Sequence, residues 1–71
     1  MPSYHKIITK LYKSWHLPVA DMKGSHQRWR NNNGEEYIVV KPHGWSKRMK
    51  VGTFQSMLRN ANISKQDFYN L

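Results

Sequence analysis

The chain contains no cysteine, which excludes disulfides and thiolate metal sites at once. It has no apolar run near the ~20 residues that a membrane-spanning helix needs. Its opening residues, MPSYHKIITK, lack the apolar stretch of a secretory signal. A cytoplasmic protein is therefore expected. Acids are scarce as well: they are Asp21, Glu35, Glu36 and Asp67. A two-metal nuclease needs several convergent carboxylates to hold its ions, so phosphodiester chemistry here is expected to run without a metal. No two histidines stand at zinc-ligand spacing with a further Cys or carboxylate partner, so no metal or other cofactor is expected.

Against four acids stand twelve Lys and Arg, a net charge of +8 on 71 residues. Such an excess points to an anionic partner, most often nucleic acid, and this reading outweighs the alternative of a basic surface kept for solubility alone. The basic residues run along the whole chain rather than gathering on one amphipathic helix, which argues against a membrane-surface role. This length makes one small domain, residues 1–71, with a core small enough for each buried aromatic to matter.

Tyr4, Ile7, Ile8, Leu11, Tyr12 and Trp15 form the i, i+3, i+4, i+7 stripe of an amphipathic helix, with Lys6, Lys10 and Lys13 on its wetter side. Pro2 or Ser3 marks its start, and Pro18 ends any helix by the preceding residue. LPVADMK reads as a short extended segment. SHQRWR and EEYIVVK flank NNNG, where Asn33-Gly34 suits a type I′ turn and signals a hairpin. PHGWSKRMKVG reads as a basic loop. Thr53 is then a plausible N-cap for a helix with Phe54, Met57, Leu58 and Ala61 on one face. Ser64 and Asp67 form a capping-box variant, with Ile63 and Phe68 as its hydrophobic staple. Helix, two or three antiparallel strands, helix: this order gives an α+β sandwich with helices on one face of the sheet.

Strand alternation divides KGSHQRWR into two faces. His26, Arg28 and Arg30 share one; Gln27, Trp29 and Asn31 share the other. Trp29 is the core anchor, which leaves the His/Arg face in water. In the next strand the pattern does not decide between Tyr37 with Val39 and Ile38 with Val40 as the inner pair. Lys23, Lys41, Lys47, Arg48 and Lys50 add cations suited to phosphate oxygens. Gly24 permits close backbone approach, and amides near Gly24 and Ser25 supply further donors. An exposed strand histidine is more often an ordinary surface residue than a proton-transfer group, so the residues alone leave the role of His26 open. His5 falls on the polar side of the first helix and His16 at its exit, whereas His43 lies in the basic loop.

KGSHQRW, the strand EYIVV and HGWSKRMKVGTFQSMLRNANIS together resemble the HicA toxins of HicA–HicB toxin–antitoxin modules. The Gly-Ser-His box, followed some thirty residues later by Lys-x-Gly-Thr before a helix, carries the likeness. The resemblance implies a fold like that of double-stranded-RNA-binding domains, which makes LPVADMK the first of three strands. It implies an mRNA-cleaving endoribonuclease with His26 as its catalytic group and a HicB-type antitoxin as protein partner. RNA carries its own nucleophile, so such an enzyme deprotonates a 2′-hydroxyl, steadies the phosphorane and protonates the leaving oxygen. Lys23, Gly24, Ser25, Arg28, Arg30, Lys47 and Arg48 are the expected phosphate and RNA contacts, and His43 is a candidate general acid. The alternatives are an RNA-binding module that uses the same basic face without chemistry, and a partner for an acidic protein. The toxin alone is expected to be monomeric.

Overall fold

The computed structural model describes residues 2–42 and 47–71. Their order is α1 (Tyr4–Lys13), β1 (Leu17–Asp21), β2 (His26–Arg30), β3 (Glu36–Val40), α2 (Val51–Ala61) and α3 (Lys65–Tyr69). The strands form one antiparallel sheet in the order β1-β2-β3. This is the expected α+β arrangement, with three strands and helices on one face.

Trp29, Tyr37 and Val39 point to that face and are buried among Ile7, Leu11, Phe54, Met57 and Phe68. Trp29 is 1 % exposed, and at ~25 cal/mol per Å² its burial is among the largest apolar contributions in a core this small. The register sets Trp29 opposite Tyr37 and Gln27 opposite Val39. This decides the inner pair of β3: Ile38 and Val40 lie on the open side, half-buried. Gln27 serves the buried aromatics, its Oε1 accepting from Trp29 Nε1 at 2.8 Å and from Tyr4 Oη at 3.5 Å.

α1 is shorter than its apolar stripe suggests. Ser3 Oγ caps its first turn by accepting from Lys6 N, but the helix stops at Lys13. Trp15 adopts φ +67°. Its N–H donates to Tyr12 O and that of His16 to Leu11 O, both at 3.0 Å. This is a Schellman termination, with Trp15 in the left-handed position usually given to glycine. Trp15 therefore leaves the stripe and is 81 % exposed. His16 instead turns inward, buried, with Nδ1 2.7 Å from Tyr37 Oη. Lys10 is not simply on the wet side: its Nζ donates to Phe68 O and Leu71 O at 3.3 and 3.1 Å, holding the C-terminal end of α3.

The β2–β3 connection also differs from expectation. Gly34 has φ +84° but Asn33 does not have a positive φ, so the type I′ turn is excluded. Instead Asn31 N donates to Glu35 O, and Gly34 N to Asn31 O, a three-residue loop with Gly34 in the left-handed position. The buried Asn31 side chain holds it: Oδ1 accepts from Asn33 N and Glu35 N, while Nδ2 donates to Glu35 Oε1 and to Ala61 O of α2. That single amide ties the hairpin to the helix layer.

α2 begins earlier than Thr53. Its N-cap is Lys50, which makes no side-chain capping bond, and Phe54 N donates to Lys50 O at 2.9 Å. Met49 is buried just before the cap, so the chain is anchored there and turns into helix at the next residues. Tyr4 N donates to Lys47 O, and Ser3 bridges Arg48, which ties this basic segment to the start of α1. The start of α3 is as expected: Asp67 N donates to Ser64 Oγ at 3.0 Å, Phe68 is buried, and Ile63 packs on the core.

Candidate functional site

The turn from β1 to β2 is closed by Met22 N donating to His26 O and contains Gly24 at φ +75°. Lys23 and Gly24 are exposed at its tip and Ser25 is half-buried, its carbonyl accepting from Lys41 N at 2.7 Å. The ladder therefore continues one pair past β2, and His26 starts from a tethered backbone rather than from a loose loop. Gly24 is needed for its dihedral angle, since a β-carbon there would meet nothing within 4 Å.

His26, Arg28 and Arg30 lie on the open face, as alternation requires. Their cross-strand neighbours are Val40, Ile38 and Glu36. The last of these changes the electrostatics. Arg30 Nη2 donates to Glu36 Oε2 at 2.9 Å, and Arg28 Nε stands 3.2 Å from Glu36 Oε1. The Arg28 contact is an ion pair without hydrogen-bond geometry, because its buried Nε–H finds no aligned acceptor. The Arg30 hydrogen bond, joined by the positive charge of both guanidiniums, holds the Glu36 carboxyl below its ordinary range against a smaller desolvation effect. Glu36 begins β3, and it partly neutralises two of the cations expected to meet an anion. The outer guanidinium nitrogens of Arg28 stay available.

α2 packs along the edge strand β3, and residues on its polar side line a hollow together with residues of the open face. The result is a groove of about 710 Å³ with His26, Ile38 and Val40 on the sheet side and Thr53, Ser56 and Asn60 on the helix side. A second hollow of about 540 Å³ adjoins it, lined by Lys47, Arg48 and Lys50, with Val40 and Thr53 shared by both. The structure thus brings His26 and the Lys47–Lys50 segment to one continuous surface. Lys23, Gly24 and Ser25 belong to the turn next to His26, while Arg30 stands four residues further along β2, beside Glu36. His43 lies outside the described residues, as does Trp45.

Sequence reasoning missed Thr53 as a wall residue, having assigned it to a cap, and missed Ser56 and Asn60 altogether. The signal was present in the spacing. Thr53, Ser56 and Asn60 recur at i, i+3 and i+7, a polar stripe beside the Phe54, Met57, Leu58 and Ala61 core stripe. Which strand face that stripe meets is not written in the spacing.

Chemically, an imidazole at the mouth of such a groove can exchange a proton with a bound hydroxyl. The cations around it can bind phosphate oxygens, with Arg suited to two-pronged contact. Among the described residues no three His, Cys, Asp or Glu side chains cluster closely enough to hold a metal ion, and no helix is long and apolar enough to cross a membrane.

A family model described as the HicA toxin of bacterial toxin–antitoxin matches residues 15–63, well over half of the chain. The matched span runs from the end of α1 through the sheet to the end of α2, and so contains both walls of the groove. No curated protein matches the chain.

Proposed function

Because the chain belongs to the HicA toxin family of bacterial toxin–antitoxin modules, we propose that it is a metal-independent endoribonuclease that cleaves mRNA and thereby inhibits translation, with His26 as general base. The observation that carries this reading is the placement of His26: on the open sheet face, at a groove that runs on into the Lys47–Lys50 hollow. A strand of RNA laid along that path meets an imidazole and a row of cations in succession.

In the proposed reaction His26 removes the proton of a ribose 2′-hydroxyl, and the oxygen attacks the adjacent phosphorus. Arg28, with Lys23 or Lys47, stabilises the added charge on the phosphorane oxygens. The bond to the 5′-oxygen then breaks and that oxygen takes a proton, for which His43 is the candidate donor. The products are a 2′,3′-cyclic phosphate and a free 5′-hydroxyl. Gly24, Ser25, Arg30 and Arg48 hold flanking phosphates. Ligand supply favours a reaction without metal: of the four acids, Glu36 is engaged by two arginines and Asp21 accepts from Gln27 at 3.2 Å. A HicB-type antitoxin would mask this surface in the cytoplasm, since unrestrained mRNA cleavage halts growth.

The test is incubation of purified protein with mRNA in EDTA. Cleavage to cyclic-phosphate ends is expected from the wild type, with His26→Ala losing cleavage yet retaining RNA binding. Full cleavage by His26→Ala overturns the assignment of the base, and intact RNA with the wild type overturns the enzyme in favour of a binding module. Expression is expected to arrest growth, with relief by a co-expressed HicB-type partner.

A further inference from the structure

The groove beside His26 is unusual for this molecule. On a chain of net charge +8, no Lys, Arg, Asp or Glu among the described residues lines it. Its helix wall carries the Thr53 and Ser56 hydroxyls and the Asn60 amide; its floor is Ile38 and Val40. Among the described residues a phosphate in it would find no Lys or Arg, whereas the adjoining hollow offers Lys47, Arg48 and Lys50. The two compartments therefore differ in ionic side chains: the hollow sets three cations beside Val40, Pro42 and Met49, while the groove has none among the described residues and suits a flat group with an apolar face and a hydrogen-bonding edge.

We propose that this groove is a nucleobase subsite, in which Ser56 and Asn60 read the edge of one RNA base while Ile38 and Val40 pack against its face. The inference rests on the nuclease reading for its ligand, and places the base of the nucleotide whose ribose meets His26. That base projects either into the groove or into water. The groove provides apolar contact for its face, and a neighbouring hydroxyl and amide, four residues apart on one side of α2, for its edge. An Asn amide presents a donor and an acceptor together, the pairing that discriminates among base edges. Ser56 and Asn60 are exposed in the unbound protein, so their hydrogen-bonding groups await a partner at no cost to the core. Phosphates on either side fall to the basic hollow and the β1–β2 turn. Backbone contacts of this kind position the strand and carry no sequence information.

Two measurements test this. Binding is compared for 2′-O-methyl RNA of mixed sequence, which lacks the nucleophile, and for an abasic 2′-O-methyl backbone of equal length. The wild type is expected to prefer the base-bearing strand by about tenfold, the scale of one good base contact. Ser56→Ala/Asn60→Ala should erase most of that preference while leaving abasic binding and its salt dependence unchanged. In parallel, cleavage positions are mapped on a mixed-sequence RNA, where the double variant is expected to broaden the preferred base and raise KM more than it lowers kcat. Equal binding of both strands by the wild type, or an undiminished preference in a double variant with unchanged thermal unfolding, overturns the subsite. Absence of cleavage by the wild type refutes the nuclease reading alone, because the binding comparison needs no reaction and still decides the subsite.

Discussion

Glu36 sits across the β2–β3 ladder from Arg30 and accepts its Nη2 hydrogen bond at 2.9 Å, while also holding the Arg28 guanidinium at 3.2 Å. One carboxylate thus restrains two of the cations nearest His26 in sequence. Replacing it by an isosteric neutral group, Glu36→Gln, removes the negative charge and frees both arginines. Tighter RNA binding with a steeper dependence on salt is the expected outcome, since each newly released cation adds roughly one phosphate contact to the counterion slope. A titration over 50–200 mM salt reads this directly; an unchanged slope would show that neither arginine reaches the RNA.

The buried pair His16–Tyr37 makes stability pH-dependent. Burial lowers the His16 pKa and raises that of Tyr37 above the ordinary phenol range. The unfolded chain, with His16 near 6.5, binds more protons than the folded one just below that pH. Stability is therefore full above about pH 6.5 and falls as the pH drops through the unfolded value toward the lowered folded value. Urea unfolding at pH 7.5 and 5.5 should show this loss, and His16→Gln should reduce it. The same variant is expected to cost about 1–3 kcal/mol at neutral pH, because the buried Tyr37 hydroxyl loses a well-placed partner.

Trp15 offers the opposite sign. It holds φ +67° with most of its ring in water, so the left-handed conformation is not offset by core packing. Trp15→Gly is expected to stabilise the protein by about 1 kcal/mol. For a chain of this size that raises Tm by roughly 4–8 °C. A lower Tm would mean that the exposed ring contributes to the fold through Tyr12 or Leu17.

Lys10 joins the first helix to the last. Its ammonium donates to Phe68 O and Leu71 O and stands 5.5 Å above the Phe68 ring. A cation at a helix C-terminus is worth about 0.3–1 kcal/mol. Lys10→Met keeps the stem and removes the charge. Hydrogen exchange in residues 65–71 should quicken, with little change in the sheet; uniform protection would rule out a local role.

The hairpin, both helix faces and the two faces of β2 were legible because each follows from a short-range period. The staple of Ile63 and Phe68 was legible for the same reason. The misreadings cluster where a distant contact outranks a local preference. Thr53 has the right chemistry for a cap, yet buried Met49 starts the helix earlier. Asn33-Gly34 has the right dipeptide for a type I′ turn, yet the Asn31 side chain organises a different loop and reaches α2. Trp15 continues the apolar stripe, yet the inward turn of His16 toward Tyr37 directs it into solvent.

The sequence by itself determined the charge excess, the scarcity of carboxylates, the order of a helix, the β2–β3 hairpin and the C-terminal helices, and the presence of His26, Arg28 and Arg30 on one strand face. These are matters of composition and of side-chain period, which need no knowledge of neighbours. Tertiary structure decided what that face meets. Strand register placed Glu36 against the arginines, and packing of α2 along β3 set a neutral hydroxyl-and-amide wall opposite His26. Both depend on contacts between residues far apart in the chain, whose pairing is settled by burying Trp29, Tyr37 and Phe54 in one core.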